Sequence, residues 1–75
     1  MVAATQQIEE KISNTAMGMA HRYVSAYRDT LLTDSQIVAA MTSDALSGGF
    51  SQEDSYEIAE IAFTYLEHNH HALNP

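Results

Sequence analysis

Residues Ser51 to His71 read SQEDSYEIAEIAFTYLEHNHH, and the way this stretch winds decides the fold. Stepped round as a helix, Glu53, Glu57, Glu60 and Glu67 fall within a sector of roughly 80°. Tyr56, Ile58, Ala59, Ile61, Ala62, Phe63, Tyr65 and Leu66 spread over an arc of roughly 220°, against the roughly 100° of an ordinary surface helix. A helix with so much apolar circumference has to be covered from two sides. The glutamates mark the side left to water.

The residues just before this stretch set its beginning. Ser51 stands as N-cap, with Asp54 three positions on, a shorter acid than the Glu or Gln of the usual capping box. Gly48-Gly49 ends a preceding helix, because glycine takes the left-handed conformation at little cost. That helix has the clearest start signal in the chain, Leu32-Thr33-Asp34-Ser35-Gln36-Ile37. Thr33 and Gln36 form a capping box, Leu32 and Ile37 occupy the positions of a hydrophobic staple, and Asp34 puts a negative charge at the positive end of the dipole. Ile37, Val38, Met41, Ala45 and Leu46 give this helix its apolar side.

Further upstream, Ile8, Ile12, Ala16, Met19, Tyr23, Ala26, Tyr27 and Leu31 recur at spacings of three and four, which predicts one long amphipathic helix. Lys11, Asn14, Gly18, Arg22, Ser25 and Asp29 lie opposite. Gly18, on that polar side, reads as a surface glycine. The expected fold is all-α: a long helix at about 4–31, then a helical hairpin at about 34–47 and 51–70, forming a single domain over residues 1–75.

The chain has 75 residues and no cysteine. A core of that size is marginal, and disulfides are not available to reinforce it. Helices one and two leave part of the third helix's apolar arc uncovered, and neither short helix spans the first. The prediction is a two-fold homodimeric bundle, its interface built from Tyr56, Ile58, Ile61, Phe63, Tyr65, Ile12, Met19 and Tyr23. A monomeric bundle with its tyrosine hydroxyls turned to water is the alternative.

Charge is unevenly placed. Residues 1–28 carry a net +1, whereas residues 29–75 contain eight carboxylates and no lysine or arginine, for a chain total of −7. Such a segment repels phosphate, which argues against direct nucleic-acid binding, and attracts basic protein surfaces. No apolar run reaches the roughly 20 residues that cross a bilayer. MVAATQQIEEK lacks the basic start and apolar run of a secretory signal, so a cytoplasmic protein is expected.

No constellation points to catalysis. The acids lie along a convex face, the serines and threonines sit at caps and turns, and no glycine-rich loop follows a strand. The expectation is a protein that is not an enzyme and has no cofactor. His68 and His71, one helical turn apart, are the only weak metal candidates, too few for a structural site. What remains is the acidic face: Glu53, Glu57, Glu60 and Glu67, with Asp54, as a binding surface for a basic protein. The glutamates step at roughly 6, 4.5 and 10.5 Å along the axis. Two such stripes in a dimer would imitate the charge of a short duplex. Small acidic proteins of this type occur among the accessory proteins by which phages and mobile elements inhibit nucleic-acid-handling or defence machinery. A homo-oligomerisation module with a solvated acidic face is the plainer alternative.

Overall fold

The computed structural model describes residues 3–73, with side chains from Glu9 onward. It contains three helices, α1 (Ala3–Arg28), α2 (Asp34–Ser47) and α3 (Gln52–Asn69), and no strand among the described residues. Ile8, predicted on the apolar face of α1, lies outside the described side chains.

Contacts between the helices fix their directions. The Lys11 ammonium sits 5.4 Å from the centre of the Phe50 ring, just before α3 begins. At the other end the Tyr27 and His70 rings are 5.1 Å apart, and the Arg28 guanidinium donates to the Leu73 carbonyl at 3.2 Å. Helices α1 and α3 are therefore parallel, and α2 runs against both. Helix α3 packs to the same extent on α1 and on α2, which hardly meet each other. The bundle measures 44 × 24 × 15 Å between Cα extremes, with α3 wedged between its two neighbours.

The core comes from one stripe on each helix. Helix α1 contributes Ile12, Ala16, Met19, Ala20 and Val24, α2 contributes Ile37, Met41 and Ala45, and α3 contributes Ile58, Ala59, Ala62 and Leu66. Leu73 closes the far end. Ser55 is also fully buried, its hydroxyl directed at the Phe50 carbonyl at 3.5 Å. The buried residues of α3 span an arc of only roughly 100°. Ala59 and Ala62, both fully buried, lie in the middle of this stripe, between the two helices that it packs against.

Helix ends follow local chemistry. The Thr33 hydroxyl accepts from Gln36 N–H at 3.2 Å, and the Gln36 side chain accepts from Thr33 N–H at 2.9 Å, which completes the capping box. Ile37 of the staple is buried, while Leu32 stays at the surface. Ser51 caps α3 by accepting from Asp54 N–H at 3.1 Å.

The C-termini of α1 and α2 close the same way. In α2, Gly49 N–H bonds Leu46 O and Phe50 N–H bonds Ala45 O, with Gly49 at φ 98°. In α1, Thr30 N–H bonds Tyr27 O and Leu31 N–H bonds Ala26 O, with Thr30 at φ 50°. Both are Schellman closures, with the left-handed position filled by glycine in one and by a β-branched residue in the other. The predicted first helix runs on to residue 31, but the chain turns at Asp29. Leu31, expected on the apolar face, is 70 % exposed.

Candidate protein-binding surface

Glu53, Glu57, Glu60 and Glu67 are all exposed on one side of α3. None of the four makes an ion pair or a side-chain hydrogen bond among the described residues. The chain's three cations all lie on α1, where Lys11 covers Phe50 and Arg28 is held by the Leu73 carbonyl. The Arg22 guanidinium lies alongside Gly18 on its own helix. Asp54 stands apart from the stripe: it is half-buried, roughly 60° round the helix from Glu57, and its N–H closes the Ser51 cap.

Two apolar side chains border this sector. Tyr56, on the α2 side, is 55 % exposed, and Ile61, on the opposite border, is 37 % exposed. Phe63 and Tyr65 are half-buried against the core, and Phe63 meets the Tyr27 ring edge-on at 5.9 Å. Tyr23 is half-buried too; its hydroxyl donates to the Asp44 carboxylate on α2. Burial, reinforced by that hydrogen bond and by the nearby Asp44 charge, raises the Tyr23 pKa to about 12.

The remaining residues expected at an interface between copies are elsewhere. Ile12, Met19 and Ile58 are buried in the core of the single chain, the first two on the face of α1 that packs on α3 and the third on the stripe of α3 between α1 and α2. Of the predicted interface set, Tyr56 and Ile61 are the ones on open surface.

A shallow groove on the outside of α2, where it meets α3, was not foreseen. Val38, Ala39, Thr42 and Leu46 form its floor, Tyr56 walls it on the α3 side, and Asp34 stands at one end. A second depression continues from it through Val38 and Tyr56 to Glu60. The spacing 38, 42, 46 was visible in the sequence. Val38 and Leu46 read there as core, yet only Ile37, Met41 and Ala45 turn fully inward, and Leu46 is 45 % exposed.

The histidines do not converge. Helix α3 ends at Asn69, so His68 lies in its last turn and His71 in the turn that follows. His71 meets the edge of His70, with ring centres 5.6 Å apart, and His68 faces solvent on α3. Among the described residues no group of three or more His, Cys, Asp or Glu side chains is placed to hold a metal ion. No helix among them is long and apolar enough to cross a membrane.

Comparison with protein families, with characterised proteins and with solved structures finds no match to this chain.

Proposed function

We propose that this chain is a non-enzymatic interaction protein that binds and modulates a basic protein partner through the glutamate face of α3. The observation that carries this reading is the exposure of Glu53, Glu57, Glu60 and Glu67 on one side, with no ion pair among the described residues. Carboxylates left unneutralised by their own chain speed the approach of a positively charged surface and fix its orientation. A partner that normally grips nucleic acid offers such a surface, so inhibition of nucleic-acid-handling or defence machinery by charge imitation is the specific form proposed, with phage or mobile-element origin and a cytoplasmic site of action.

The test is affinity capture from source lysate at low and high salt, with the bound proteins identified. The expected catch is basic, is released by salt, and is lost when Glu57→Lys and Glu60→Lys reverse the centre of the face. Capture indifferent to those reversals would count against the proposal.

A homodimeric bundle is the second reading, favoured by the exposure of Tyr56 and Ile61. It expects twice the chain mass in sedimentation equilibrium, returned to monomer by Ile61→Asp and untouched by the glutamate reversals.

A further inference from the structure

We infer that the groove along α2 and Tyr56 seats one amphipathic helix of the partner, with an apolar stripe on its inner side and Lys or Arg along its margins. The inference rests on the reading of the acidic face above and assigns that face a binding mode. From Asp34 to Leu46 the groove follows α2 for about 18 Å, the length of roughly three helical turns. Its floor is apolar and shallow where Ala39 lies, so a cylinder fits it better than a single inserted side chain.

Charge selects the occupant. Asp34 stands at one end, and Glu60 stands where the groove continues past Tyr56. Glu53, Glu57 and Glu67 share the exposed side of α3 with Glu60. No lysine or arginine occurs anywhere in residues 29–75. A second copy placed here would bring another chain of net charge −7 against an acidic face, at a like-charge cost that a basic helix avoids. An apolar floor with Asp34 at one end and Glu60 just past Tyr56 complements a helix carrying leucines on one side and basic residues beside them.

The experiment uses the full chain and two labelled synthetic peptides of identical Leu/Lys composition, followed by fluorescence anisotropy. One peptide has a helical apolar stripe; in the other the order is scrambled. The striped peptide is expected to bind at least about tenfold more tightly, which at about 1.4 kcal/mol per decade is a readily resolved difference. Ala39→Gln and Tyr56→Ala, both at exposed positions and neither altering net charge, should remove that advantage and leave the scrambled peptide's weaker binding unchanged. Glu57→Lys with Glu60→Lys should weaken both peptides. Equal affinity for the two peptides overturns the groove while the acidic-face reading stands. Failure of both peptides to bind in a salt-dependent way overturns the acidic-face reading and the groove with it. A dimer in sedimentation equilibrium that Ala39→Gln dissociates gives the groove to a second copy and overturns the proposed occupant.

Discussion

Tyr23 on α1 donates its hydroxyl to the carboxylate of Asp44 on α2, joining the two helices that otherwise hardly touch. The tie requires a neutral phenol. With its pKa raised from 10.0 to about 12, Tyr23 contributes stability that is fully present below pH 10 and fades as the pH rises towards 12. Urea midpoints measured across that window should fall more steeply for the native chain than for Tyr23→Phe. At neutral pH the same substitution should cost about 1 kcal/mol, the ordinary worth of one hydrogen bond. Parallel pH profiles for the two proteins would show that the tie contributes nothing.

The two Schellman closures differ at one position and should answer substitution in opposite directions. Thr30 holds φ 50°, a region that a β-branched side chain occupies only under strain. Thr30→Gly should therefore raise stability, by about 1 kcal/mol or somewhat less. Gly49 holds φ 98°, and Gly49→Ala should lower stability by at least about that amount, although among the described residues nothing beyond its own chain neighbours lies within 4 Å of the added methyl. Thermal unfolding of the pair of variants checks both signs at once.

Gly18 makes a third backbone prediction. It sits inside α1, exposed, and a Cβ there meets only the tip of Arg22 at 4.0 Å. Gly18→Ala should stabilise the chain by about 1 kcal/mol through helix propensity alone. A denaturant midpoint that does not rise would show that helix propensity at this position does not limit stability.

Ile58 and Ile61 are one turn apart on α3 and should behave very differently. Ile58 is fully buried, and Ile58→Ala should cost about 2–5 kcal/mol. A domain of this length has a total stability of roughly 4–11 kcal/mol, so the substitution should remove a large part of it. Ile61 is 37 % exposed, and Ile61→Asp should change folding stability by no more than about 1 kcal/mol. Circular dichroism against urea separates the two outcomes.

Much of the fold was legible because its punctuation is chemical. Thr33 and Gln36 announce α2 in a few letters, and the reciprocal hydrogen bonds are where those letters place them. Thr30 shows the limit. A left-handed C-terminus is read from glycine, and a threonine in that position carries no such signal, so the predicted α1 ran on to Leu31. Helical spacing found the apolar stripes but could not say how close the helices come. Ile58, Ala59 and Ala62 are all covered within the single chain. Ser55 drew no reading from the sequence, and it is buried because it falls on the same inward stripe of α3 as Ile58, Ala59, Ala62 and Leu66. The glutamate sector was visible from spacing alone, since four acids on one side of a helix have no other place to go than water. The α2 groove was missed because Val38 and Leu46 are apolar, and composition does not distinguish an inward leucine from one on an open face.

The position of α3 between α1 and α2 also constrains how the chain comes into being. A ribosome delivers α1 and α2 before α3, yet the surface that buries both of them belongs to α3. Until Leu66 emerges, the stripes on the first two helices have nothing to close upon but each other, and in the finished bundle they scarcely meet. The α2–α3 hairpin, joined by a four-residue turn at 48–51, has the shortest loop to close and is the natural nucleus, with α1 docking onto it afterwards. For this protein nascent helix and folded helix are separated by the time needed to translate α3. A chain stalled before Gln52 would expose two apolar stripes, and quality control would meet it as an orphan.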